Sequence, residues 1–358
     1  MPADSQPRLR NASDRVVLES VDGILGPSVL LVLQNGTRLA SELMKSAPEF
    51  RWEIFTFEHF LLTSLIDQME EQGGDSPDIT AELHCAPDLP DSTFDTIILP
   101  TRAGGAAELT RDLLQQAANR VKPNGRVLVS TDNPKDSWLQ KQLKSVFGRV
   151  TVEKHKDGVC YIARRRPTPG KQKEFRADYA FRDQERLIQC ESRPGVFSHR
   201  KVDGGARSLI RSLDRLPPDF NPQRIVDMGC GCGAVSVAAA LRFPKAEVLA
   251  VDSNVRAIEA TEGTAKRNGV TNLKVMLSCH AVLPDEGSWD LYLTNPPYYS
   301  DYRISELFLQ SAAVSLHRGG HLHLVTRLTD WHVDRMTEMF PDAQAENIGE
   351  YDVIMATV

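Results

Sequence analysis

Asn295 closes an apolar run, and Pro296, Pro297, Tyr298 and Tyr299 follow it in the stretch LTNPPYY. These types in this order suit one kind of chemistry. An exocyclic amine conjugated to an aromatic ring is a poor nucleophile, because its lone pair is delocalised. The side-chain oxygen of Asn295 and a backbone carbonyl, that of Pro296, supply two acceptors that draw the lone pair out of the ring plane. Prolines fix φ and carry no backbone donor, so the acceptors stay rigid, as preorganised catalysis requires. Tyr298 is positioned to stack on a flat ring, an interaction of about 1–3 kcal/mol per base in nucleic-acid complexes, with Tyr299 beside it. Alone, such a stretch is a rigid turn after a strand, so its meaning depends on what accompanies it.

A second constellation lies upstream in VDMGCGCGAVSVAAALRF. An apolar strand, Ile225 to Met228, runs into alternating Gly229, Gly231 and Gly233 and then a helix. Glycines let the chain turn sharply and let a ligand approach the backbone, and the helix start offers free N–H groups. The next strand, EVLAVD, ends in Asp252, about 20 residues beyond the loop, where doubly wound folds place a carboxylate for ribose hydroxyls. Ser253 follows it. Asp227 just before the glycines would repel a pyrophosphate and attract a cation, such as the amino group of a methionine moiety. The third glycine of a dinucleotide fingerprint is also missing. The predicted ligand is therefore S-adenosylmethionine. Cys230 and Cys232 read as small fillers of the turn, since no second Cys or His pair at metal spacing appears and no metal is expected.

Two weaker candidates flank these. RPGVFSHRKVDGGA, Arg193 to Ala206, brings Phe197, His199 and Arg200 just ahead of the glycine loop, a segment suited to closing over cofactor or substrate. His321 and His323 alternate along one strand and read as structural.

The elements that position these residues recur. The segment starting at Phe94, FDTIILPTRAGG…RVLVST, matches the one starting at Trp289, WDLYLTNPPYYS…HLHLVT, without a gap at an offset of 195 residues. Each reads as strand, loop, helix, glycine turn, strand. Upstream the echo continues at an offset of 196, pairing Pro48 with Pro244. The expected architecture is α/β: two tandem Rossmann-like domains with doubly wound, seven-stranded mixed sheets, produced by duplication. The first domain is predicted over residues 1–165, a linker over 166–188 and the second domain over 189–358. In the first copy Leu31, Leu33, Thr37 and Thr56 stand opposite Asp227, Gly229, Gly233 and Asp252, and Pro100 stands opposite Asn295. That copy is expected to bind no cofactor and to serve as scaffold or docking surface.

The remaining totals set bounds. The chain has 358 residues, 41% hydrophobic and 25% charged, with a formal net charge of −6. This is an ordinary soluble composition, and a nucleic-acid partner must meet a local basic patch rather than the overall field. No apolar run approaches a membrane span, and the polar N-terminus lacks the apolar core of a signal peptide. Six scattered cysteines suit a reduced, cytoplasmic protein. Between the copies, Arg164, Arg165, Arg166, Lys171 and Lys173 sit among prolines and read as a solvated connection rather than a phosphate site. A duplicated chain imitates a dimer, so a monomer is expected.

The segments RPGVFSHRKVDGGARSLIRSL, VDMGCGCGAVSVAAA, AVDSNVRAIEAT, NPPYY and LHRGGHLHLV together resemble the tandem-domain ribosomal RNA guanine-N2 methyltransferases, of the class I S-adenosylmethionine-dependent type. The resemblance implies methyl transfer to the exocyclic N2 of a guanine in ribosomal RNA, with the small subunit favoured. It implies a cofactor site of Asp227, Gly229, Cys230, Gly231, Gly233 and Asp252, and a catalytic loop from Asn295 to Tyr298. Where such enzymes place an Asp or Asn for the adenine amino group, this chain has Cys279, a weak hydrogen-bond partner; His280 or backbone groups are the alternatives. The motif itself leaves open large-subunit RNA, adenine N6 and a release-factor glutamine as targets. A non-catalytic assembly factor with a vestigial cofactor site is the reading from another class.

Overall fold

The computed structural model describes residue 9 and residues 11–72, 81–166, 172–297 and 301–358. It divides into two compact units, Met1–Phe175 and Arg176–Val358.

The first unit runs α1 Ala12–Ser20, β1 Ser28–Val32, α2 Arg38–Ser46, β2 Arg51–Thr56, α3 His59–Gln72, β3 Ala81–Cys85, β4 Phe94–Thr101, α4 Ala107–Arg120, β5 Val121–Thr131, α5 Trp138–Phe147, β6 Val150–Lys154 and β7 Val159–Arg164. The second runs β8 Ala177–Asp183, β9 Arg186–Ser192, α6 Gly204–Ser212, β10 Arg224–Met228, α7 Ala234–Arg242, β11 Glu247–Asp252, α8 Val255–Arg267, β12 Leu273–Leu277, β13 Trp289–Thr294, α9 Arg303–Ser315, β14 Leu316–Thr326, α10 Thr329–Met339, β15 Gln344–Ile348 and β16 Tyr351–Thr357.

Each unit holds a seven-stranded mixed sheet, and the two orders correspond strand for strand: β3-β2-β1-β4-β5-β7-β6 and β12-β11-β10-β13-β14-β16-β15. The sequence echo is a structural one down to its irregularities. The β4–β5 register shifts between Phe94 and Thr96, and the β13–β14 register shifts between Trp289 and Leu291, the same offset later. The bulged residue is an aspartate in both copies and has the same role in both. Asp95 Oδ2 accepts from the backbone N–H of Ser28 at 3.2 Å, and Asp290 Oδ2 from that of Arg224 at 2.7 Å. A base on the following strand completes each: Lys122 lies 2.8 Å from Asp95, and His317 2.8 Å from Asp290. Strands β5 and β14 bury the same positions along all 11 residues. Such agreement is what duplication predicts and what two unrelated strand-helix-strand units would not share.

In the second sheet, alternation along the strands feeds two cores. Ile225, Val248, Leu291 and Leu293 face one side with α7 and α8 residues such as Val237, Ala238 and Ala257. Val226, Leu249, Val251, Tyr292 and Leu324 face the other with Leu309 and Met336. These are strands buried on both faces, as a doubly wound sheet demands.

One boundary differs from the sequence expectation. A linker is expected over residues 166–188, yet the units divide after Phe175, and Ala177–Asp183 is a strand. It pairs antiparallel with β9 into a hairpin turning at Gln184, whose φ is +50°. The charged alternation ADYAFRD hides the strand, because only Ala177, Phe181 and Asp183 are buried in it. Hairpin and helix are joined by polar bonds: Thr264 Oγ1 accepts from the Glu191 N–H at 3.0 Å.

In the first unit, Glu53 is a buried carboxylate in the middle of β2. Its register neighbour on β3 is Glu82, and His84 lies two residues further. His84 Nε2 approaches Glu53 Oε2 to 3.0 Å, and Arg51 comes within 3.4 Å of the other oxygen. The buried charge thus has two basic partners, as burial requires.

Candidate functional site

The site forms at the carboxyl ends of β10 and β13, where the strand order reverses and open α/β sheets bind ligands. Parallel pairing sets Met228 beside Thr294, so Gly229 and Asn295 leave the sheet side by side. The Thr294 hydroxyl donates to the Met228 carbonyl at 3.0 Å, which ties the two strand ends together.

Gly229, Gly231 and Gly233 have φ of +83°, +57° and +77°. Side chains other than glycine rarely adopt that region. A Cβ on Gly233 would in addition lie 2.9 Å from Thr261 on α8. A Cβ on Gly231 would meet nothing within 4 Å, so the crest of the loop borders open space. The Gly229 and Cys230 N–H groups both donate to the Val251 carbonyl, at 2.8 and 2.9 Å. Cys230 and Cys232 are buried and behave as fillers: Cys230 Sγ lies 3.3 Å from the Thr261 hydroxyl, and Cys232 Sγ accepts from the Tyr179 hydroxyl at 3.0 Å.

Asp227 is buried, and its Oδ2 accepts from the hydroxyl of Ser236 in the first turn of α7. It therefore helps to hold the turn. That role does not neutralise it, since no cation pairs with it among the described residues. Burial raises its pKa to about 7, offset in part by Ser236, with the nearby charge of Asp252 adding to the rise. Asp252, at the end of β11, is likewise raised by burial and partly restored by N–H donors. Its Oδ2 accepts from Gly231 N at 2.9 Å and its Oδ1 from Asn254 N at 2.9 Å. The second carboxylate thus also shapes the glycine loop. Ser253 follows it, and Cys279 and His280 lie in the bend after β12, Cys279 half-buried and His280 exposed.

Asn295 is partly buried, and its Nδ2 donates to Asp203 Oδ2 at 3.2 Å. Asp203 is the N-cap of α6, accepting from the Gly205 and Ala206 N–H groups at 2.8 and 3.3 Å. Gly205 is small because it must be: a Cβ there would lie 3.1 Å from Asn295 Nδ2 and 2.8 Å from the Asp203 carboxylate. Pro296 is buried and Pro297 half-buried beyond it. Tyr298 and Tyr299 lie outside the described residues. The chain returns at Asp301 and Tyr302, both with left-handed φ, and the Tyr302 ring stacks on Trp331 at 4.3 Å.

The Arg193–Ala206 segment is fastened at its start. Arg193 pairs with Glu259 at 2.6 Å, and the fully buried Arg256 donates to the Pro194 carbonyl at 2.6 Å. Asn254, which caps α8, also donates to the Gly195 carbonyl at 3.3 Å. Phe197 is left 64% exposed, while Ser198 and Arg200 take φ of +56° and +76°. His199 Nδ1 lies 3.2 Å from the Ser192 hydroxyl, and Arg200 is exposed. His323 is buried against the Ser212 hydroxyl at 2.8 Å, and burial pushes its pKa down to about 3. His321 meets Phe220 edge-on, so both histidines are packing residues.

Asp203, Gly205, Asn254, Arg256 and Thr261 are not singled out by the sequence reading. Asp203 and Asn254 have a readable signal, an Asp or Asn directly before a helix start; the others act through contacts far along the chain.

A glycine loop between a buried and a half-buried acid at a topological switch point, next to a proline-stiffened asparagine, defines an α/β protein with a methyltransferase-type second unit. Residues 188–354 match the family model described as the methyltransferase small domain. The whole chain is similar to the ribosomal RNA small subunit methyltransferase C of Shewanella halifaxensis, 27% identical over 350 residues, covering 95% of this chain and 97% of the relative. The protein of that name from Hahella chejuensis is 33% identical over 186 residues, 49% of this chain and 53% of its own length. Among solved structures, a T. thermophilus 16S rRNA N2 guanine methyltransferase in complex with AdoMet and guanosine superposes with a TM-score of 0.80 at 19% identity. That superposition covers 97% of this chain and 92% of the other, so the shared fold includes both units.

Proposed function

We propose that the chain transfers a methyl group from S-adenosylmethionine to the exocyclic N2 of a guanine in small-subunit ribosomal RNA. The observation that carries this is the placement of Asn295 beside the glycine loop, with its amide nitrogen already engaged by Asp203. The side-chain oxygen is then the group turned to a substrate amine.

The residues present fit the cofactor. Three left-handed glycines open the loop to a ligand, and a buried carboxylate with no cationic partner among the described residues stands below it. Gly229, Cys230 and Gly231 would let the ligand lie against the backbone, their N–H groups being taken by Val251 and Asp252. Asp227 would set the electrostatics for an ammonium group, and Asp252 with Ser253 would take the ribose hydroxyls. Cys279 and His280 would border the adenine. When bound, the sulfonium supplies an activated methyl group. Asn295 Oδ1 and the Pro296 carbonyl accept hydrogen bonds from the guanine amine and orient its lone pair for in-line attack. Pro297 keeps that turn stiff, Tyr298 and Tyr299 stack on the base, and Phe197, His199 and Arg200 close over it. The protein acts as a monomer in the cytoplasm, where ribosomal subunits are assembled.

The test is methyl transfer from labelled S-adenosylmethionine to stripped small ribosomal subunits, large subunits and a release factor, followed by mass mapping of the product. Label at guanine N2 of the small-subunit RNA is expected. Label confined to the release factor, or none on RNA, rejects the reading.

A further inference from the structure

The expectation of no metal rests on the spacing of cysteines and histidines along the chain. Strand pairing in the first unit makes a cluster that such spacing does not show. Glu53 on β2 lies opposite Glu82 on β3, and His84, two residues on, shares the face of Glu82. One ligand atom from each of the three lies within 4.8 Å of the others. His84 Nε2 faces both carboxylates, 3.0 Å from Glu53 Oε2 and 3.6 Å from Glu82 Oε1. A tetrahedral zinc ion with bonds of about 2.0 Å holds its ligand atoms about 3.3 Å apart. The two observed distances fall on either side of that value.

Burial points the same way. Glu53 is 1% exposed, and its Oε1 has no hydrogen-bond partner among the described residues. Arg51 approaches that oxygen to 3.4 Å as an ion pair, but its own side chain is 61% exposed. A buried oxygen without a hydrogen bond is costly, and a cation held by the same carboxylate offsets that cost. At the corresponding places of β11 and β12 the second unit has Leu249, Lys274 and Met276. Leu249 is buried there, so the first copy carries a charge where the fold accepts a leucine.

We propose that Glu53, Glu82 and His84 bind one zinc ion, which ties β3, the outermost strand of the first sheet, to β2. The imidazole selects zinc over magnesium and calcium, which take oxygen ligands. Glu82 is 66% exposed, so water can reach the fourth position. Arg51 then orients the Glu53 carboxylate from outside the ligand set. The role is structural and does not depend on methyl transfer.

The test titrates zinc chloride into the full chain after dialysis against a chelator. Binding is read by calorimetry and unfolding by melting temperature, with magnesium chloride for comparison. Three variants are used: Glu53→Leu, which installs the residue of the second copy, Glu82→Gln and His84→Gln. The wild type should bind about one zinc per chain. Its melting temperature should climb with zinc concentration, as for a ligand of the folded state, and magnesium should produce neither effect. Glu82→Gln and His84→Gln should each weaken zinc binding at least about tenfold, the loss that removing even an outer partner causes. Glu53→Leu should abolish binding; the exposed Glu82→Gln position keeps the test decisive if that variant does not fold. A wild type without saturable zinc binding overturns the proposal. So does wild-type zinc affinity in Glu82→Gln or His84→Gln, since the ion would then sit on thiols elsewhere in the chain.

Discussion

Asp203 Oδ2 accepts a hydrogen bond from Asn295 Nδ2 at 3.2 Å, across 92 residues of sequence. An ionised carboxylate is an acceptor only, so this contact selects one of the two amide orientations and turns the Asn295 oxygen away from Asp203. Asp203→Asn keeps a good helix cap but adds a donor that permits the flipped amide. We expect kcat to fall by about 10²-fold, the scale seen when one aligned transition-state hydrogen bond is removed, with little change in melting temperature or cofactor Kd. Wild-type kcat in this variant would show that Asp203 only caps α6.

Asn295→Ala removes the acceptor itself. Turnover should be abolished while calorimetry shows nearly unchanged affinity for S-adenosylmethionine. Loss of both together would assign Asn295 to the fold rather than to the substrate amine.

Asp227 gives a pH signature. Its pKa is raised to about 7 in the folded chain against 3.8 as a free side chain. Between those values the folded state binds more protons than the unfolded one, so stability falls as pH rises through that window. Asp227→Asn should therefore raise the melting temperature of the ligand-free protein, more at about pH 8 than at about pH 5. The same change should cost cofactor affinity. In the wild type, affinity should increase as pH rises through about 7, because the ionised carboxylate is the form that attracts an ammonium. A flat profile of affinity from about pH 6 to about pH 8, a window that brackets this titration, would detach Asp227 from the ligand.

Gly233→Ala meets two obstacles. Its φ of +77° costs an alanine about 1–2 kcal/mol, and its Cβ would press on Thr261 at 2.9 Å. Denaturant melts should show a loss of at least that size, together with weaker cofactor binding. Gly231→Ala shares the strained φ but meets no atom within 4 Å, so it should lose less stability. Equal losses in the two variants would mean that contact with α8 plays no part.

Much of this molecule is legible in one dimension because duplication repeats it. The ungapped match from Phe94 and Trp289 carries strand, helix and bulge at once, and the bulged aspartates Asp95 and Asp290 are part of it. The glycine loop is legible because only glycine tolerates its backbone. The hairpin strand Ala177–Asp183 is not, since its few buried positions leave no apolar run, and it disappears into a charged stretch.

The order of residues along the chain dictates which groups are available: two acids around a glycine loop, then an amide ahead of two prolines. Local backbone chemistry and period-two burial depend on near neighbours, so they can be read there. Which way those groups face is set only once the chain is folded. The Asp203–Asn295 contact and the tethering of the Arg193 segment by Arg256 join residues that no spacing relates. They arise because parallel strands bring distant loops to one sheet edge, and there a carboxylate or an amide takes the partner that packing supplies.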